Sequence, residues 1–85
     1  INLMTYDFHG SWDTQTGFNA PLYATASDKD KTFNVDHAAK YIVSLGCPKE
    51  KLNIGLATYG RSFTLSTSSN SVGAPVSGGG LAGSV

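Results

Sequence analysis

Residues 34–59 read NVDHAAKYIVSLGCPKEKLNIGLATY, and this stretch decides the fold. Val35, Ala38, Ala39, Ile42 and Leu45 recur at helical spacing and form one apolar stripe, so the spacing predicts a helix over 34–45. Asn34 stands where an N-cap belongs, and Asp36 in the first turn complements the positive end of the helix dipole. Gly46 occupies the position just past the helix, and Pro48 prevents its continuation. Beyond this stop, Leu52, Ile54 and Leu56 alternate onto one face of a strand predicted over 52–59, and Tyr59-Gly60-Arg61-Ser62-Phe63 reads as its continuation.

Upstream, residues 1–7, INLMTYD, also read as a strand. Ile1, Leu3 and Thr5 share one face and Asn2, Met4 and Tyr6 the other. Both faces carry apolar residues, as in a parallel sheet covered on both sides. The order strand, long loop, helix, strand defines a βαβ unit of the α/β class, with parallel strands and a right-handed crossover. The connection from Phe8 to Phe33 is rich in turn formers and far exceeds the ~2–6 residues typical of a βα loop. In α/β barrels such loops build the active site at the C-terminal rim of the strands. One helix covers only part of one sheet face, so the unit reads as a slice of something larger.

Composition narrows the function classes. The chain has 85 residues, with six Lys+Arg against six Asp+Glu, so its formal net charge is zero. Without a Lys/Arg run it does not present the electrostatic footprint of a nucleic-acid binder. No apolar run approaches the ~20 residues of a membrane span, and the start is not signal-like. One cysteine, Cys47, rules out an internal disulfide and a cysteine-rich metal site. Its simplest reading is a buried free thiol, with a partner outside these residues as the alternative. His9 and His37 show no metal-ligand spacing to Asp or Cys and read as structural or exposed side chains. No metal or cofactor is implied. Residues 66–85, STSSNSVGAPVSGGGLAGSV, carry no charge and no aromatic ring. By composition they suit a flexible linker or a loop lying on a larger domain.

The chemistry-bearing residues gather at the predicted strand ends. Met4-Thr5-Tyr6-Asp7-Phe8-His9-Gly10-Ser11-Trp12 follows the first strand, and Thr58-Tyr59-Gly60-Arg61-Ser62-Phe63 follows the second. Alone, each has an ordinary explanation. Met4 would be a core residue, Tyr6 and Tyr59 half-buried packing residues, Asp7 a turn residue and Arg61 a surface ion-pair partner. Trp12 in a Gly/Ser-rich loop is harder to explain by packing alone. Taken together, the two runs resemble the chitinases of glycoside hydrolase family 18. Gly17-Phe18-Asn19-Ala20-Pro21-Leu22-Tyr23, Asn34-Val35-Asp36 at the helix start, and Val72-Gly73-Ala74-Pro75 extend the resemblance over essentially the whole chain.

The resemblance implies a partial (β/α)8 TIM barrel. Residues 1–65 would belong to the barrel, with 1–7 as its sixth strand and 52–59 as its seventh. Residues 66–85 would be the truncated start of the family's α+β insertion domain. It further implies hydrolysis of β-1,4-linked N-acetylglucosamine polymers by substrate-assisted retention, outside the usual two-carboxylate scheme. Tyr6 matches the family's donor to the substrate acetamido group and Asp7 the carboxylate beside it, both in catalytic roles. Met4, Trp12, Tyr59 and Arg61 match substrate-binding positions. The implied partners are chitin or chito-oligosaccharides and the remainder of the barrel, and the implied location is extracellular. The family's Asp-x-x-Asp-x-Asp-x-Glu run is missing, and the single glutamate, Glu50, sits in the turn before the second strand. The chain as it stands is therefore expected to be inactive and to lack the proton donor. Its parent would be an active chitinase or, as the alternative, a chitinase-like lectin that has lost the acid.

Overall fold

The computed structural model describes residues 1–81. Its first sheet pairs β1 (Asn2–Leu3) with β2 (Asn53–Ile54) in parallel, with Asn2 opposite Asn53 and Leu3 opposite Ile54. The Asn53 and Gly55 amides donate to the carbonyls of Ile1 and Leu3, each at 2.8 Å. Helix α1 (Val35–Ser44) connects the two strands, so the βαβ order is as the apolar pattern requires. Asn34 caps the helix by accepting from the His37 amide at 2.8 Å, and its own amide donates to the Lys31 carbonyl. Gly46 takes φ +107, a conformation that favours glycine, and ends the helix where expected. A single 3-10 turn, Lys49–Lys51, then leads into β2.

The strands are shorter than the spans 1–7 and 52–59 expected from alternation. The ladder stops because the Thr5 amide turns back to the Leu3 carbonyl, and the Thr5 hydroxyl takes over the bond to the Gly55 carbonyl at 2.7 Å. Asp7, at φ 61, then turns the chain out of extended geometry. Residues 59–63 do not continue β2. The chain instead forms a second sheet, in which β3 (Phe63–Leu65) pairs antiparallel with β4 (Val76–Gly79). The register shifts between Thr64 and Leu65, which leaves Ser77 as the extra residue.

Within the segment that composition suits to a linker or a loop on a larger domain, Val76–Gly79 is instead a paired strand, and the last four residues of the 66–85 segment lie outside the described ones. The hairpin is tied to the long loop through Thr16. Its hydroxyl accepts from the Gly73 and Ala74 amides, its own amide donates to the Ala74 carbonyl, and Gln15 bridges Pro75.

The described residues form a slab 45 × 33 × 16 Å. No Val, Leu, Ile, Met, Phe, Tyr or Trp among them is buried. Leu56 is 84% exposed and Leu45 on the helix stripe 66%, although apolar side chains of this size gain about 1.5–3 kcal/mol each from full burial. A groove of about 510 Å³ opens between Ala39 and Val43 of α1, Leu52 just before β2 and Ile54 within it. Cys47 is buried as a free thiol whose Sγ lies 3.4 Å from the Pro48 carbonyl. His37 is exposed and stacks on Tyr41 one helical turn on.

Candidate active site

Parallel strands bring their C-terminal ends to one edge, and the site assembles there. Thr5, fully buried, ties the two strands immediately before the edge. Gly55 permits their close approach: a Cβ there would stand 2.8 Å from the Leu3 carbonyl oxygen and 3.0 Å from the Tyr6 ring. Asp7 leaves the end of the first segment and Tyr59 the end of the second.

Asp7 is the centre of the cluster. Its Oδ1 accepts from the Tyr59 hydroxyl at 2.5 Å and from Arg61 Nε at 2.9 Å, and lies 2.8 Å from a second guanidinium nitrogen. Charge-assisted donors of this kind favour the ionised carboxylate. The Tyr59 hydrogen bond, then the Arg61 one, hold the Asp7 carboxyl below its ordinary range. The same hydrogen bond, from the other side, pushes the Tyr59 phenol up, so the shared proton stays on tyrosine. Asp7 also sits in the left-handed backbone region at φ 61, which costs a non-glycine residue on the order of 1–3 kcal/mol, with Asp among the types that tolerate it best.

Aromatic rings flank this pair. Tyr6 meets Tyr59 edge to face, with ring centroids 6.1 Å apart. The Arg61 guanidinium lies 5.0 Å from the Trp12 ring centroid and 5.9 Å from that of Tyr59, a cation–π arrangement on both sides. Gly10 makes this stacking sterically feasible, since a Cβ there would fall 2.4 Å from the Trp12 ring and 2.9 Å from Arg61 Cδ. The turn carrying Trp12 is clamped by Asp13, whose carboxylate accepts from the Gly10 amide at 3.0 Å while its own amide donates to the Gly10 carbonyl. Buried His9 supports that clamp, with Nδ1 3.2 Å from the same Asp13 oxygen and Nε2 3.6 Å from Asp28.

Five of the six residues singled out in the sequence therefore meet: Tyr6, Asp7, Trp12, Tyr59 and Arg61. Met4 takes no part in this network and is 73% exposed. Glu50 lies in the turn that enters β2, at the opposite end of the strand pair from Asp7 and Tyr59. Among the described residues no cluster of three His, Cys, Asp or Glu could hold a metal ion.

Sequence reasoning missed Gly10, Asp13 and Asn19 as parts of the site. Gly10 carried a signal, a glycine inside an aromatic run. Asn19 stood inside the Gly17–Tyr23 run that carries the resemblance, but no role attached to it there, because it lies in a long loop without periodicity. It nevertheless accepts from the Asp7 amide through its side chain and from the Phe8 amide through its carbonyl.

Residues 1–82 match the family described as Glycosyl hydrolases family 18. The chain is 49% identical over 86 residues to Chitotriosidase-1 of Mus musculus, covering 98% of this chain and 18% of that protein. Catalytic domain 2 of the Group II chitinase of Ostrinia furnacalis superposes with a TM-score of 0.92 at 44% identity, over 98% of this chain and 22% of that one. Human YKL-39, described as a pseudo-chitinase with retained chitooligosaccharide binding, superposes with a TM-score of 0.91 at 46% identity, over 98% of this chain and 24% of that one. The chain belongs to glycosyl hydrolase family 18. It spans less than a quarter of the length of the curated relatives it matches.

Proposed function

We propose that this chain forms one wall of the substrate cleft of a chitinase, within a (β/α)8 barrel whose remaining strands supply the general acid. The observation that carries the reading is the Asp7 carboxylate held by Tyr59 and Arg61 at the ends of two parallel strands, between the rings of Tyr6 and Trp12. Residues 66–85 would begin the insertion domain.

In this reading the acetamido carbonyl of the bound sugar attacks its own anomeric carbon as the acid protonates the leaving oxygen, and an oxazolinium ion results. The C–O bond to the leaving sugar breaks, and its electron pair takes up the acid's proton. The Tyr6 phenol orients the acetamido oxygen without bringing a mobile charge. Asp7, kept ionised by its two donors, stabilises the positive charge that develops beside it. Trp12 and Tyr59 present faces on which the C–H surface of a sugar ring packs, and Arg61 donates to its oxygens.

The test is incubation of the full-length protein with N-acetylglucosamine tetramers, with the product anomer followed by NMR. The reading predicts cleavage and a product first released as the β-anomer, because substrate-assisted attack retains configuration. Inversion, or no cleavage, would contradict it. A second reading, a chito-oligosaccharide-binding lectin, is favoured by the likeness to human YKL-39, whose binding persists in a pseudo-chitinase. Saturable tetramer binding without cleavage would establish that one.

A further inference from the structure

We infer that Asn19 is a positioning residue for the Asp7–Tyr59 pair, and so acts on the reaction proposed above without touching substrate. Three hydrogen bonds carry this. The Asn19 side chain accepts from the Asp7 amide at 2.8 Å through Oδ1. Its backbone carbonyl accepts from the Phe8 amide at 3.0 Å. Its Nδ2 donates to the Tyr59 carbonyl at 3.3 Å.

Asn19 thereby joins the backbones of the two segments whose side chains meet at Asp7 Oδ1. β1 and β2 are paired only as far as Leu3 and Ile54 in the ladder, with the Thr5–Gly55 side-chain bond beyond it. Past that point, Asn19 is the residue that bonds to both rim backbones. It also grips Asp7 where the backbone departs furthest from ordinary geometry. The ladder ends before Asp7, and at φ 61 the Asp7 amide donates to Asn19. An amide side chain suits both ends, since it offers an acceptor and a donor from one planar group. Alanine would leave the Asp7 amide and the Tyr59 carbonyl without these partners. The left-handed turn would then lose what holds it, and the Asp7–Tyr59 contact would loosen.

The experiment compares the full-length protein with its Asn19→Ala and Asn19→Asp variants. Because a misplacement near 1 Å in a catalytic group can cost about 100-fold, Asn19→Ala is expected to lower kcat tenfold or more, with KM within about twofold. Asn19→Asp keeps the acceptor for Asp7 but not the donor to Tyr59, and is expected to recover part of that loss. Crystal structures of the variants give a readout independent of turnover. In Asn19→Ala the Asp7 φ should leave the left-handed region and the Tyr59 hydroxyl should move beyond about 3.5 Å from Asp7. A full-length protein that binds tetramer without cleaving it would overturn the chitinase reading alone, and the crystal structures would still decide the inference. Asp7 and Tyr59 unmoved in both variants would overturn the inference. So would a lower Tm with kcat unchanged, since that is the mark of a purely structural residue. If Asn19→Ala does not fold, Asn19→Asp decides it: lengthening on the Tyr59 side with Asp7 φ retained supports the role, and no change at either side refutes it.

Discussion

Asp7 shows how much a single residue can be asked to do. One oxygen collects a phenol and a guanidinium, and the backbone beneath it takes a conformation most residues avoid. Tyr59 is the largest cause of the low Asp7 pKa, with Arg61 next. Tyr59→Phe should therefore raise the Asp7 pKa towards the ordinary carboxylate range. Since the proposed role needs the ionised form, the acid limb of the kcat–pH profile should move to higher pH in this variant. A limb that stays put or moves down would argue against Asp7 as an ionised partner in catalysis. The same depressed pKa stabilises the fold above the ordinary carboxylate range, and that stabilisation is lost as pH falls through the folded-state value. Because Asp7 is exposed, solvent screening keeps this contribution small.

Residue identities at the site were legible because tyrosine, aspartate, tryptophan and arginine stood together in two short runs. Asn19 was not legible, because what it does depends on where a loop of 26 residues (8–33) returns, and no local pattern encodes that return. Met4 had a place in the motif, but its side chain lies outside the Asp7 network.

At the scale of elements, helix α1 was the most readable feature. Its cap and its terminator act within a few residues, so local chemistry was enough to place both ends. Asn34 is buried and spends its side chain on the His37 amide and the Lys31 carbonyl. Asn34→Ala should cost about 0.5–2 kcal/mol, read as a lower Tm of the full-length protein. An unchanged Tm would mean that packing, and not the cap, sets the helix start.

The strands were less readable, and for a physical reason. A strand's length is set by the partners that accept its ladder, and each of β1 and β2 has one partner among the described residues. The β3–β4 pairing was illegible for a different reason. Its second strand is Val-Ser-Gly-Gly, a poor strand former by composition, and its neighbour Pro75 is bridged by Gln15 from the distant loop. Long-range hydrogen bonds through Thr16 override what the Ser/Gly content suggests.

The described residues form a slab whose large apolar side chains are all at least partly open to solvent. The α1 stripe and the Leu52–Ile54 edge border an unfilled groove. In a complete barrel these faces would meet neighbouring strands and helices, consistent with a chain that spans less than a quarter of its relatives. The isolated 85-residue chain should accordingly show no cooperative thermal transition as a monomer, and should self-associate or stay unfolded. Calorimetry together with sedimentation measures this directly, and a sharp two-state transition from a monomer would show that the slab is self-sufficient. The same chain should not cleave chitin oligomers, because its one glutamate lies at the wrong end of the strand pair.

In the proposed function this rim carries the reacting acetamido group of a chitin chain, with Tyr6 as its donor. The most direct measurement is the turnover of N-acetylglucosamine tetramer by the full-length protein and by Tyr6→Phe, with tetramer affinity determined by calorimetry. Tyr6→Phe is expected to lower kcat by about 100-fold or more while affinity changes by less than about threefold, because the lost hydrogen bond matters most in the transition state. A Tyr6→Phe variant that loses affinity at unchanged kcat would contradict it.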